Sequence, residues 1–522
     1  MSLPSFPYSK KYVRKHSTET NGLPEGALDK ILDDIYGPRY QFLSDSQLER
    51  ISEANYFYSY YDLEGQEWDA PAALGYEPTV LTVNLARWFV KKRVAWLFEN
   101  APDIECLPVE VDSKTAQVDY EPSAKQQRAD LRAASRQKML YDIWSDNLFE
   151  EKLSQGGIDH FVGGTVALRL RYLPKRGIRY QFLPVQEIFP IPDDDEPEVF
   201  HKIHFCSLLD NPNTLWRQTW ELIEGKCYLS EATYAVNGLN LIQERYNMEP
   251  TGLDFIPVLL VPNMAQSGSM YGTSYLKDLI PLFDRFNRSM SDATDALRFN
   301  LFAVTVLLNA PPGAEKKLRL SPNELWNIGG EGVDAKKLES GFNYANALGD
   351  FLTRLEHVMH MIGGVPKISP DDIKGFGQIT GIGLKMLYAD LVSETNASWR
   401  VWKSRLQQAN EMTLKMLETY ESWDEYPYTY KTSDINKEYS NRIIPHLPLP
   451  ENEMDKINME VTKLTNDLQS VVGALAELGE KFPERKMAEI LQEKERFAPS
   501  GAGSVTGFMK MLKDEQEKGN EP

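Results

Sequence analysis

Between Leu276 and Leu297 apolar side chains recur three and four positions apart: Leu276, Leu279, Phe283, Phe286, Met290, Ala293 and Leu297. That spacing lines one face of a helix and predicts one here, with Pro281 kinking it or marking a restart near its first turn. A second stripe of the same period runs Ala345, Leu348, Leu352, Leu355, Met359, Ile362. A third helix is expected over Val80–Glu99, which holds no glycine or proline before Pro102 stops it. Gln378–Tyr420 is also free of proline. One helix over its length, about 40 residues, would measure about 60 Å. A last stripe, Met454, Ile457, Val461, Leu464, Leu468, Val471, Leu475, Leu478, follows a Pro-rich connector over Asp424–Pro450.

Inside this helical frame the period changes to two. Thr165–Tyr172 and Arg179–Leu183 alternate apolar and polar residues around Pro174-Lys175-Arg176-Gly177, a hairpin signature. Val199–Leu208, Thr219–Ile223, Lys226–Leu229 and Leu239–Tyr246 continue the alternation, so residues 160–262 read as a β-rich insert. Short strands and turns are expected over Phe302–Gly341, and a Gly/Pro-rich loop over Gly363–Gly377. The fold class is therefore α+β, mainly helical. The order is helix, insert, helix, glycine loop, long helix.

The chain has 522 residues, 57 Lys+Arg and 76 Asp+Glu, and a net charge of −19. A protein that reads nucleic-acid sequence needs a basic footprint, and this acidic balance argues against one. It does not argue against contact with DNA that is never held. A basic cluster, Lys10, Lys11, Arg14 and Lys15, reads as a solvated tail. Three scattered cysteines make neither a disulfide framework nor a four-cysteine zinc site and indicate a reducing compartment. Pro4 and Pro7 interrupt a polar N-terminus unlike a signal peptide. The apolar runs fall short of the ~18–20 residues of a membrane span, so a soluble intracellular chain is expected.

Candidate chemistry is sparse. No G-x-x-x-x-G-K-[ST] loop occurs, and Gly375–Gly381 departs from a dinucleotide fingerprint because its third glycine comes one residue late. His201 and His204 would face opposite sides of a strand. His357 and His360 could share a helix face, but no H-E-x-x-H motif supports zinc. Asp193–Glu196 lacks the glycine and spaced acids of a calcium loop. No catalytic constellation, cofactor or metal is indicated.

Several passages, in order, resemble the portal proteins of tailed bacteriophages, particularly those of long-tailed phages of Gram-positive hosts. They are Val83-Asn84-Leu85-Ala86-Arg87 through Pro102, then Val185-Gln186-Glu187-Ile188-Phe189-Pro190-Ile191. Gly272-Thr273-Ser274 leads into Leu282–Asn287 and Ser291-Asp292. Thr380-Gly381-Ile382-Gly383-Leu384-Lys385 and Pro445–Asn452 complete the set. The resemblance spans residues 40–500 and implies an elongated subunit of a ring, typically dodecameric, at one capsid vertex.

It further implies a wing over 1–273, stem helices at 274–301 and 342–362, and a clip at 302–341. A tunnel loop would follow at 363–377, then a long helix and wing return at 378–450, a crown at 451–500 and a tail at 501–522. Double-stranded DNA would pass without sequence specificity, with terminase large subunit, head–tail adaptor, major capsid and scaffold proteins as partners and no membrane. The subunit would assemble in the host cytoplasm and reside in the virion. Lys367 and Lys374, with Gly363, Gly364, Gly375 and Gly377 letting the backbone shift, are the candidate DNA-channel residues. Lys316, Lys317, Arg319, Lys336 and Lys337 are candidates for motor docking, or edge charges that discourage strand pairing. Two other classes stay open on residues alone: an intracellular enzyme with helical and β domains, and another head–tail connector component.

Overall fold

The protein was analysed as a computed structural model, which describes residues 41–64, 78–109, 123–193, 195–209, 214–235, 240–301, 305–309, 334–337, 344–367, 386, 388–423, 425–448, 453–466, 468–480 and 483–497. The basic cluster at 10–15 lies outside them. The chain divides into two compact units, 1–376 with 387–448, and 377–386 with 449–522.

The first unit opens with α1 (Gln41–Tyr61) and α2 (Leu85–Phe98). Helix α2 begins five residues later than its apolar period predicts, because Asn84 caps it by accepting the Arg87 amide at 2.9 Å. Strand β1 (Asp103–Cys106), α3 (Ala124–Asp146) and α4 (Phe149–Gly163) follow. The expected hairpin forms as β2 (Thr165–Leu173) and β3 (Gly177–Pro184). Strands β4 (Ile188–Pro192), β5 (Phe200–Leu208), β6 (Thr214–Ile223), β7 (Lys226–Ala235) and β8 (Leu241–Pro250) build an antiparallel five-stranded sheet in that order. Strand β9 (Val258–Pro262) pairs with β2, giving a three-stranded sheet of order β3-β2-β9.

The two sheets are joined by a buried polar network. Arg169 of β2 donates to Gln218 of β6 and to Gln181, and its guanidinium lies over the Phe205 ring at 5.2 Å. Gln218 in turn donates to Glu231 of β7, whose other oxygen takes Arg245 of β8 at 3.1 Å. Burial and Arg171 lower the Arg169 pKa to about 10, against the opposing pull of Glu231 and Glu187. This accounts for the acid in the Val185–Ile191 passage: Glu187 is buried beside a cation that needs a counter-charge.

Next come α5 (Ile280–Leu301), β10 (Thr305–Leu308) antiparallel to β11 (Asp334–Lys337), α6 (Tyr344–Gly363) and α7 (Ala389–Tyr420). Pro281 falls in the first turn of α5, where its missing N–H costs nothing. Helix α7 has 32 residues, hence about 48 Å rather than the expected 60 Å. It starts at Ala389 and not at 378. Its buried face carries Trp402, which meets Phe98, His160 and Phe182 edge-on at 4.8, 5.4 and 5.8 Å. Strand β12 (Asn441–Ile444) returns to pair with β1.

In the second unit the apolar stripe from Met454 is interrupted. Helices α8 (Glu453–Thr465), α9 (Val471–Glu477) and α10 (Pro483–Phe497) replace one continuous helix. Ser470 caps α9 by accepting the Gly473 amide at 3.0 Å, and Gly479 leaves it with φ +89°.

Candidate functional site

The chain enters α5 through a joint of three backbone segments. Asn263 donates its amide to the Gly164 carbonyl at 2.8 Å and accepts that of Thr273 at 2.8 Å, so three backbone segments cross there. A Cβ on Gly272 would stand 2.1 Å from the Asn263 oxygen. Only glycine fits, which explains the Gly272-Thr273-Ser274 passage ahead of α5.

Three residues on, the Tyr275 hydroxyl donates to the Gly363 carbonyl at 2.5 Å, tying the approach to α5 to the last residue of α6. Helix α6 closes through a Schellman turn: the Val365 amide reaches the His360 carbonyl, and Gly364 takes φ +60°. The His360 ring is hydrogen-bonded to the Val365 carbonyl at 2.8 Å and packs on Phe89 and Trp88. A Cβ on Gly363 would lie 2.7 Å from the Phe89 ring. Both glycines thus occupy required positions in a packed turn. Arg93 of α2, buried, lies over the Phe161 and Tyr275 rings and pairs with Glu394 of α7 at 3.3 Å.

Beyond the turn, Lys367 pairs with Glu356, one helix face back, at 2.6 Å. Both groups are partly exposed. The other tunnel-loop candidates, Lys374, Gly375 and Gly377, lie outside the described residues, as do Lys316, Lys317 and Arg319. Lys336 and Lys337 fall on β11, in register with Val306 and Thr305 of β10.

The seam of α5 departs from its apolar stripe. Phe283 is buried, but Phe286, Met290 and Ala293 are only half-buried and Leu297 is 49% exposed. The buried positions in this half among the described residues are Asn287, Ser289, Ser291 and Asp295, and Asn287, Ser291 and Asp295 fall four residues apart on one ridge. An extended segment, 79–83, lies along that ridge. The Thr79 amide donates to both Asp295 carboxylate oxygens, the Leu81 amide to Ser291 Oγ and the Val83 amide to Asn287 Oδ1, at 3.0–3.1 Å. Asn287 Nδ2 and Ser291 Oγ donate back to the Val83 and Leu81 carbonyls. Three side chains thereby imitate the edge of a β-ladder. Sequence reasoning missed them, although the Asn-x3-Ser-x3-Asp spacing was visible. The hydrogen bonds from Thr79 outweigh desolvation and lower the Asp295 pKa.

Among the described residues, the histidines and acids singled out in the sequence are not brought together. His204 is buried against Thr219 Oγ1 at 2.7 Å, while His201 sits on the other side of the strand. His357 is exposed, and His360 serves the Schellman turn. Asp193 folds back to accept the Asp195 amide. Among the described residues no group of three His, Cys, Asp or Glu could hold a metal ion. The three cysteines are buried, and burial pushes the Cys106 and Cys206 thiols up to about 12 and Cys227 to about 11. No helix among the described residues is long and apolar enough to cross a membrane.

Across residues 40–499 the chain matches the family described as phage portal protein, SPP1 Gp6-like. The chain belongs to the phage portal family. The portal's similarity to solved structures is distant. A chain from the neck of an empty GTA particle aligns at 10% identity with a TM-score of 0.38. One from the virion of a native gene transfer agent particle aligns at 12% and 0.35. Each alignment covers 76% of this portal and 89% of the other chain. No curated protein matches the portal's sequence.

Proposed function

We propose that copies of this portal protein form a ring, of twelve subunits by analogy with its family, at one capsid vertex, and that its bore conducts double-stranded DNA into and out of the head. The family match over residues 40–499 carries the reading. The helix–insert–helix–loop order supports it. The helical hairpin α5/α6 would form the stem and β10–β11 part of the clip, which docks first the terminase large subunit and later a head–tail adaptor. Major capsid and scaffold proteins would hold the ring in the virion. The role is structural, and ATP hydrolysis belongs to the separate terminase.

Charge supports a conduit. Each Lys or Arg that neutralises a phosphate strengthens DNA binding by counterion release, and a chain of net charge −19 keeps such contacts few. Lys367 meets the bore with its charge already matched by Glu356, so a passing phosphate competes for it and no strong binding site forms. Lys374 would be the second such contact, and Lys316, Lys317, Arg319, Lys336 and Lys337 would face the motor at the clip.

Electron microscopy of the purified full chain tests the reading. Rings with a central hole are expected, and a monomer at every concentration overturns it. A Lys367→Ala/Lys374→Ala ring that packages and retains DNA as the unaltered ring does would remove the lysine role alone.

A further inference from the structure

Two surfaces of the first unit carry complementary features. The first is an open cavity of about 650 Å³ between α7, β9 and the turn at 265–270. Phe255, Ile256, Met270 and Val401 give it an apolar lining, and Arg400 and Arg405 of α7 stand at its wall. Arg405 is half-buried; its hydrogen-bond partner is the neutral Gln408 at 2.9 Å, and burial lowers its pKa against the pull of Glu198 in the same lining. Arg400 is exposed and makes no ion pair among the described residues. Of the acids in the lining, Glu198 is engaged with the Gly268 amide at 2.9 Å.

The second surface is the outer side of β8, the last strand of its sheet. All but one of its ten residues are exposed, with Leu241 and Ile242 54% and 56% open. Glu244 there has no ion-pair partner among the described residues. The register of β8 against β7 breaks three times. Such a bulged edge is a poor template for another strand, so what it offers a partner is side chains.

We infer that the cavity beneath α7 receives the Leu241–Glu244 end of β8 from a neighbouring copy of this chain. Leu241 and Ile242 enter the apolar lining, and Glu244 meets the Arg400/Arg405 pair. Leu241 lies about 30 Å along β8 from Pro250, close to where the chain turns into the cavity wall at Asp254. Donor and acceptor therefore sit a strand's length apart on one subunit. Because the two surfaces differ, each copy can give its β8 end to one neighbour and take another's in its cavity, and the contact then runs head-to-tail into a ring or filament.

The inference rests on the ring reading above, and the experiment separates the two. Full-length chains carrying Arg400→Glu, Glu244→Arg or both are compared with the unaltered chain by mass photometry, with melting curves as a folding control. Each single reversal is expected to raise the concentration for half-assembly at least tenfold, and the double to bring it back. In parallel, an Arg400→Cys/Ile242→Cys chain treated with a short bis-maleimide should give a ladder of covalent multimers, since the native cysteines are buried. Single reversals that assemble normally, a folded double that does not recover, or crosslinked monomer alone would overturn the contact. An unaltered chain that never assembles counts instead against the ring.

Discussion

Lys367 Nζ and Glu356 Oε2 stand 2.6 Å apart across the turn that ends α6. Both are partly open to water, so the pair contributes at most about 1 kcal/mol to folding. On the proposed reading, the pair withholds the lysine from DNA. In Glu356→Gln rings the lysine is released, and packaging in a motor assay should slow at low salt, the difference fading above ~0.5 M as charges are screened. Equal rates at every salt concentration would show that this lysine does not meet DNA.

The glycines at the α6 terminus should respond as packed residues. Gly363→Ala drives a Cβ into Phe89 and is expected to cost about 1–3 kcal/mol. Gly364→Ala, held in the left-handed region, should cost about 1–2 kcal/mol. Gly349, mid-helix with nothing near its missing Cβ, is the contrast: alanine there should stabilise by about 0.5–1 kcal/mol. Urea midpoints of the three variants check the ordering.

The 79–83 segment is held by side chains, and hydrogen exchange reads this directly. In Asn287→Ala and Ser291→Ala chains the amides of Val83 and Leu81, respectively, should lose protection by about tenfold or more, each orphaned bond costing about 1–3 kcal/mol. Unchanged exchange at both amides would mean that packing alone holds the segment.

His160 is fully buried, and its Nδ1 faces the Val261 carbonyl at 3.1 Å. Burial, opposed by that carbonyl and reinforced by Arg93, pushes its pKa down to about 4. The unfolded chain, with a histidine pKa near 6.5, then binds the proton more readily than the folded one. Stability should be complete above about pH 6.5 and fall as pH drops toward 4, by on the order of 3 kcal/mol. His204, whose pKa burial, Lys202 and Arg217 also lower, adds a loss of the same sign. Denaturation midpoints across this range should therefore show a shallower, not flat, dependence in His160→Gln.

The β-rich insert was readable because alternation with turn residues leaves little choice: the Thr165–Leu173/Gly177–Pro184 hairpin follows from Pro174–Gly177. Helix ends were harder. Leu81 and Val83 lie within the helix expected over Val80–Glu99, yet they run extended because Asn287 and Ser291, some two hundred residues away, offer their backbone a better partner. The stripe on α5 promised an apolar seam, but the same ridge of polar residues takes the buried side. In the second unit a period that looked continuous is cut by Ser470, Gly479 and Pro483. Of the glycine loop expected over 363–377, only 363–367 fall among the described residues. Its anchoring, from Tyr275 to Gly363 and from Lys367 to Glu356, depends on side chains brought together from distant positions.

The root of the α5/α6 hairpin has a mechanical consequence. Tyr275, ahead of the first helix, grips the last residue of the second, and residues 79–83 strap the first helix out to Asp295. Phe283 and Met359 are sealed near the clamp, whereas Leu297 and Leu308 toward the far end are 49% and 42% exposed. A hairpin about 33 Å long, gripped at its root and strapped along α5, carries a tilt at the root out to the β10–β11 end. Load applied at that end is returned, through Tyr275 and Arg93, to α2 and α7.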